Sequence, residues 1–349
     1  MAQSVRLLSI ATASPPHEMT QDQVAQVAQM IFGERFPRFD RMLPVYGNSG
    51  VRTRQLAMPV EWYLEPHGWP ERGEVYLASA LELFCQAAQA ALDEAGLTGG
   101  DVDAIVTVSS TGIATPSLEA RAMTRMGFRP DAARVPVFGV GCAGGATGLA
   151  LASRLAAAQP GRTVLLVCVE LCSLAFSLDG LAKVDIISTA IFGDGAAACV
   201  LRAGEAGFAE VTGVAEHTWP DTLDIMGWRV GADSLGVILD RALPPFLSKE
   251  LRPAMERMLA GQDLEIDDVD RFVCHPGGMK VIEAIEGAFD LGQGSLDHER
   301  EVLAEHGNMS SPTVLFILDR ARRAGLPRRS VVTAMGPGFT ASTVTLLAA

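Results

Sequence analysis

Positive charge is scarce in this chain: 28 Lys and Arg face 41 Asp and Glu, for a net charge of −13. A nucleic acid backbone needs a basic face, so nucleic acid is excluded as the main partner. No stretch reads as long and apolar enough to span a bilayer, and membrane insertion is not expected. The opening residues, with Arg6 soon followed by Pro15-Pro16, lack the pattern of a signal peptide, which gives a cytoplasmic expectation. The six cysteines show no metal-ligand spacing. Cys168 and Cys172 are four apart but fall in or just after an expected strand, and a cytosolic setting would keep all six reduced. Linkers, low-complexity tracts and flavin or nicotinamide motifs are also missing, so no cofactor is expected. Gly193-Asp-Gly195 is too short for a dinucleotide fingerprint and reads as a tight turn.

What is present is apolar and glycine-rich. With 48% hydrophobic residues and 35 glycines, the 349-residue chain can bury a sizeable core. Short apolar runs at 103–109, 163–169 and 330–335 alternate with helical segments rich in alanine and leucine, which reads as α/β. Thr20-Gln-Asp-Gln23 forms a capping box opening a helix through Met30. Asp101-Val-Asp-Ala-Ile-Val-Thr-Val and Asp268-Val-Asp-Arg-Phe-Val-Cys-His repeat an acidic turn entering an apolar strand, each after a helical stretch. That echo favours duplication, with a division near 204–212 that gives halves 1–208 and 209–349.

Cys142 stands in Val137-Phe-Gly-Val-Gly-Cys-Ala-Gly-Gly-Ala-Thr-Gly148, between a strand pattern and an alanine-rich helix. Glycines permit a sharp turn, and a helix N-terminus stabilises a thiolate. A buried free cysteine also serves as a small hydrophobe. His275 ends an apolar strand in Phe272-Val-Cys-His-Pro-Gly-Gly278, and Asn308 lies in His306-Gly-Asn-Met-Ser-Ser-Pro312 before the helical run 313–320. A thiolate needs a proton partner, and an attacked thioester needs hydrogen-bond donors where its oxygen gains charge. Taken singly, the histidine reads equally as structural and the asparagine as a helix cap.

The Cys142 loop, Ile191-Phe-Gly-Asp-Gly-Ala-Ala-Ala198, His275-Pro-Gly-Gly, Gly307-Asn-Met-Ser-Ser and Gly336-Pro-Gly-Phe together resemble a bacterial type III polyketide synthase, a relative of chalcone synthase. The resemblance covers nearly the whole chain. It implies an α/β thiolase-like fold, with duplicated βαβαβ halves in a five-layered αβαβα arrangement and catalytic residues drawn from both halves. It also implies a triad of Cys142, His275 and Asn308, Phe192 as the gate, acyl-CoA and malonyl-CoA as substrates, and a homodimer. A degradative thiolase would need a second, C-terminal cysteine, and Thr333-Ala-Met-Gly-Pro-Gly-Phe has none. A ketoacyl-ACP synthase III shares the triad, but the His-Pro-Gly-Gly and Gly-Pro-Gly-Phe segments look like the polyketide branch. A non-enzymatic acyl-binding scaffold would be expected to have lost part of the triad.

Departures from the plant enzymes point to the starter. By position, Val237 replaces a second gating phenylalanine, Ala175 a cavity threonine, and Thr115 a methionine that reaches across the dimer. Cys172 and Gly227 complete the expected cavity set, Gly227 lying in Asp224-Ile-Met-Gly-Trp228, which resembles synthases that make alkylpyrones and alkylresorcinols. Slimmer side chains leave room for a medium or long fatty acyl starter, worth roughly 0.8 kcal/mol per buried methylene. Ser110, Glu170 and Ser310 match a network that some relatives use to activate water for thioester cleavage, and buried hydroxyls merely satisfying one another would place the same residue types there. Tetrahydroxynaphthalene synthases have cysteine at the Ser110 position, which lowers that reading, while phloroglucinol or dihydroxyphenylacetyl products stay open. Polyanionic coenzyme A requires a local basic patch, for which Arg38, Arg41 and Arg52, grouped with Arg35 and Arg54, are the candidates; surface ion pairs are the plainer reading.

Overall fold

The computed structural model describes residues 4–175 and 182–349. Seven strands belong to the N-terminal half: β1 (Val5–Ala13), β2 (His17–Thr20), β3 (Thr53–Leu56), β4 (Val102–Val108), β5 (Ala133–Val137), β6 (Thr163–Leu171) and β7 (Asp194–Ala203). The C-terminal half supplies β8 (Ala209–Thr218), β9 (Met226–Val230), β10 (Leu235–Leu239), β11 (Arg271–Cys274), β12 (Arg329–Gly336) and β13 (Thr340–Ala348). Helices in the first half are α1 (Gln21–Phe32), α2 (Pro44–Gly47), α3 (Trp69–Glu94), α4 (Leu118–Met126), α5 (Gly144–Ala158), α6 (Cys172–Ala175) and α7 (Lys183–Ile191). The second half has α8 (Leu243–Ala260), α9 (Met279–Ala288), α10 (Asp297–His306) and α11 (Thr313–Arg323).

The main sheet runs β11-β12-β13-β8-β1-β7-β6-β4-β5. Its two halves mirror each other about the β1–β8 seam: β1-β7-β6-β4 and β8-β13-β12-β11 have the same sequence of antiparallel, antiparallel and parallel neighbours. The acidic echo falls on equivalent strands. Asp103 of β4 accepts the Thr163 N–H at 2.8 Å, and Asp270 before β11 accepts the Arg329 N–H at 2.7 Å, so each carboxylate pins the first residue of the neighbouring parallel strand. At the seam only Val5–Leu7 pair with Ala209–Val211, so the half-sheets then part into separate layers.

Burial of both strand faces explains why the strands read as continuous apolar runs. Leu165, Val167 and Val169 face α3, while Leu166 and Cys168 face the opposite layer, where α5 and α11 pack between the two half-sheets. Beyond the second half-sheet, Leu247, Leu251 and Met255 of α8 meet Phe272 and Val331. Layers therefore alternate αβαβα, the thiolase-like arrangement. The capping box forms as read, with Thr20 N–H donating to Gln23 at 2.8 Å, and α1 continues two residues past Met30. One expectation needs correction: α3 is long and apolar enough, by length and composition, to cross a membrane. Here Ala80, Phe84, Ala87 and Ala91 pack it into the core, and Glu82 on its outer side pairs with Arg125 at 2.7 Å.

Candidate active site

The nucleophile turn is braced by both halves. Cys142 occupies a single 3-10 turn, Gly141–Ala143, just before α5. Gly141 has φ +48°, and a Cβ there would lie 2.7 Å from the Pro337 ring, so only glycine fits. Gly336, at the end of β12, packs directly on the Val140 carbonyl and the Ala143 backbone. Burial pushes the Cys142 thiol up to about 11, with hydrogen bonds to Ser310 and Asn308 pulling it down and the Glu170 charge adding to the rise. This corrects the expectation of a dipole-stabilised thiolate: desolvation outweighs the helix terminus, and the resting group is a thiol that donates to the Ser310 hydroxyl at 3.5 Å.

His275 follows β11 and donates its backbone N–H to Thr333 O at 2.9 Å, three residues before the Gly336 contact with the Cys142 turn. It is 3% exposed, and neither ring nitrogen has a hydrogen-bond partner among the described residues. Burial drives its pKa down to about 3, so the ring is neutral. Two orphaned buried nitrogens on one ring are unusual and suit a group that awaits a ligand.

Asn308 is tied to the expected gate. Its N–H donates to Ile191 O at 2.8 Å, its carbonyl accepts from Gly193 at 3.0 Å, and the two form an isolated parallel bridge between Phe192 and Asn308. Its side-chain Oδ1 accepts the Ser310 N–H at 2.7 Å, so the asparagine closes a local turn instead of capping α11, whose N-cap is Pro312.

The hydroxyl network differs from the expected one. Fully buried Glu170 accepts from the backbone N–H of Ser110 (3.0 Å) and Thr111 (3.0 Å), the Thr111 hydroxyl (2.7 Å) and the Ser311 hydroxyl (3.0 Å). Ser310 is not a partner. At φ +61° its backbone turns, sending its hydroxyl to Cys142 and the next side chain, Ser311, to Glu170. Ser110 contributes only its N–H, because its hydroxyl accepts from Gly139 and Gly141 and steadies the nucleophile turn. Burial raises the Glu170 carboxyl to about 7 against the pull of these donors. Ser311 and Thr111 were thus missed; the doublet Ser310-Ser311 and the run Ser109-Ser110-Thr111 were the available signal.

Arg54 leaves the proposed basic patch. It is 2% exposed and donates to the carbonyls of Thr189 (2.8 Å), Ala190 (2.8 Å) and Phe192 (2.6 Å), the end of α7. Arg38, Arg41 and Arg52 are exposed, and Arg52 pairs loosely with Glu305 at 4.0 Å. Asp194, read as part of a tight turn, is a fully buried acceptor for the N–H groups of Ser173 and Ala57, both at 2.8 Å.

Phe192 and Cys172 line a mostly apolar cavity of about 90 Å³, walled by Val24, Ala28 and Phe32 of α1 with Leu56 and Tyr63 and reached by the buried Arg54. Cys172 belongs to it as expected. Ala175, Val237, Gly227 and Thr115 are not among its described lining residues. Ala175 is buried at the end of α6, next to residues 176–181, which lie outside the described chain. Val237 sits on the β9–β10 ribbon opposite Trp228, and Gly227 approaches Pro337 beside the nucleophile turn. Thr115 is exposed on the loop before α4.

Residues 3–205 match the N-terminal domain, and residues 210–348 the C-terminal domain, of chalcone and stilbene synthases. The chain belongs to this family. It is a type III polyketide synthase. Among its relatives, the 1,3,6,8-tetrahydroxynaphthalene synthase of Streptomyces peucetius subsp. caesius is 40% identical over 97% of this chain and 92% of its own. A putative chalcone synthase of Bacillus subtilis is 34% identical, covering 95% and 96%. The crystal structure of 1,3,6,8-tetrahydroxynaphthalene synthase from Streptomyces coelicolor superposes with a TM-score of 0.94 at 28% identity, covering 98% of the synthase described here and 99% of that chain.

Proposed function

We propose that the synthase loads a medium- or long-chain acyl-CoA on Cys142, extends it with malonyl-CoA and cyclises the product to an alkylpyrone, an alkylresorcinol or both. The observation that carries this reading is the mostly apolar cavity lined by Phe192 and Cys172, a chemical match for an alkyl tail. Thiol and imidazole both rest uncharged. As sulfur adds to the thioester carbon, its proton passes to His275, and coenzyme A leaves as the thiol carrying that proton. His275 and the Asn308 amide donate to the oxyanion. Malonyl-CoA then loses carbon dioxide, the electrons of the broken C–C bond forming an enolate held by the same donors. The enolate carbon attacks the Cys142-bound acyl group and displaces the sulfur as a thiolate, which takes a proton from solvent to restore the resting thiol. Acid–base and covalent chemistry of these side chains suffices, with no further cofactor.

A second reading rests on the relatives. Tetrahydroxynaphthalene, and the phloroglucinol named for a Pseudomonas fluorescens synthase 29% identical over 94% of the chain, carry no alkyl tail. That favours a starter without one. Mass spectrometry of products from malonyl-CoA with acyl-CoA starters from acetyl to palmitoyl separates the two: alkylated products support the first reading, and products from malonyl-CoA alone replace it with the second.

The reading carries a cytoplasmic homodimer. In support, Ile113 (69% exposed) and Phe138 (53%) stand beside the Thr115 loop, and β5 leaves the outer edge of the sheet open. Sedimentation analysis tests it, a monomer overturning the assignment.

A further inference from the structure

Glu170 has one arm that leads away from the thiol. The Ser109 hydroxyl lies 3.5 Å from Glu170 Oε2, at the long limit of a hydrogen bond, and 2.7 Å from the Tyr76 hydroxyl. Of the other donors, the backbone N–H groups of Ser110 and Thr111 cannot reverse, the Thr111 hydroxyl accepts from Leu171 N–H at 2.9 Å and donates to Glu170 Oε2 at 2.7 Å, and the Ser311 hydroxyl meets the other oxygen, Oε1, at 3.0 Å. The Ser109–Tyr76 pair can run either way. With Glu170 ionised, Tyr76 donates to Ser109 and Ser109 to the carboxylate. With Glu170 protonated, the order reverses along the pair.

Tyr76 and Ser109 also line a second cavity, of about 290 Å³, shared with Thr107 and Glu119. Glu119 is fully buried, yet among the described residues one of its carboxylate oxygens has no partner, and neither has the Thr107 hydroxyl. These orphaned groups put a polar spot in an otherwise largely apolar wall. Tyr76 is fixed in place because the Gly112 Cα packs on its ring, where any Cβ would clash.

We infer that Tyr76 is a positioning residue that acts through the Ser109 hydroxyl to set the charge state of Glu170, and thereby the balance between cyclisation routes. The inference about cyclisation rests on the proposed function; the coupling to Glu170 does not. Among the described residues, the titratable groups facing Glu170 are Tyr76 from α3, Cys142 before α5, Cys168 on β6 and Cys172 on α6. All three cysteines are thiols pushed upward by burial, so near neutral pH the Oε2 side of Glu170 responds through the reversible Ser109–Tyr76 pair, while Ser311 meets Oε1.

The test is pH-difference infrared spectroscopy of the whole protein, with the Glu170 carboxyl band identified by its loss in Glu170→Gln. Tyr76→Phe keeps the ring and its Gly112 contact, and it is expected to move the Glu170 titration upward by about half a unit, and Ser109→Ala by about one unit, because each weakens a donor to the carboxylate. The double variant should match Ser109→Ala alone, since Tyr76 acts only through Ser109. An unmoved titration in Tyr76→Phe, or a further shift on adding it to Ser109→Ala, overturns the inference. Should Ser109→Ala fail to fold, Ser109→Cys takes its place in the same cycle. The pH at which the product ratio changes should shift in parallel. A parent protein that makes no polyketide would refute the proposed function while leaving the infrared test intact.

Discussion

Arg54 donates from Nη1 to the carbonyl oxygen of Phe192 at 2.6 Å, so a buried cation carried by β3 fixes the backbone of the residue placed at the gate. The same guanidinium holds Thr189 and Ala190, and Gln21 accepts from its other terminal nitrogen. Burial lowers the guanidinium to about 10, still charged at neutral pH. Asp194 and Tyr46 oppose that fall.

Arg54→Met removes these donors and leaves the end of α7 with unsatisfied carbonyls. We expect a loss of about 3 kcal/mol in unfolding free energy, as for other broken buried charge networks. We also expect a larger drop in condensation than in binding of coenzyme A. Urea titration and steady-state kinetics check both; an unchanged midpoint would show that the contacts are dispensable.

Cys142→Ala is expected to abolish acyl loading, read as the absence of a mass increment after incubation with an acyl-CoA. His275→Ala and Asn308→Ala should still load measurably but lose malonyl decarboxylation, since the enolate would lack its donors. Polyketide formation by the cysteine variant would remove it from the nucleophile role.

Glu170 links the site to pH. Its folded pKa of about 7 lies above the ordinary 4.5 through burial, so between these values the folded state binds more protons than the unfolded one. Its contribution to stability is therefore fully present below pH 4.5 and is lost as pH rises through 7, a change of about 3 kcal/mol by linkage. Glu170→Gln should flatten that part of the stability curve. The difference between variant and parent in urea midpoints at pH 5 and pH 8 measures it, and equal slopes would show that the carboxyl titrates near its ordinary value. His275 acts oppositely: held near 3, it stabilises increasingly as pH rises from 3 toward 6.5.

Layering was legible in the sequence because the inner strands β6, β7 and β12 are buried on both faces, and the echo of Asp103 and Asp270 marks equivalent strand entries. The positions of Cys142, His275 and Asn308 were legible as motifs. Hydrogen-bond direction was not: whether Ser310 or Ser311 meets Glu170 is decided by the left-handed backbone at Ser310, which residue type alone does not reveal. Arg54 looked like one of several N-terminal cations, and only the folded chain brings α7 carbonyls over it. Similarly, the cavity walls come from α1, far from Ala175 and Val237 in sequence, because packing against α7 is a long-range event.

Ala28 is the sharpest probe of the starter. It lies on the inner face of α1, is 3% exposed, and lines the same cavity as Phe192. Ala28→Phe would fill that space with a ring, displacing methylenes that each contribute roughly 0.8 kcal/mol, or about fourfold in kcat/KM. The preferred acyl-CoA should therefore shorten by several carbons, while activity with acetyl-CoA stays within about twofold. Overpacking costs stability, so thermal melting must show a folded variant before the kinetics are read. Competition between octanoyl-CoA and palmitoyl-CoA gives the ratio directly. A variant that keeps the parent's chain-length preference would mean that the tail runs elsewhere, toward the β9–β10 ribbon and Val237, and would return the starter question to that side of the site.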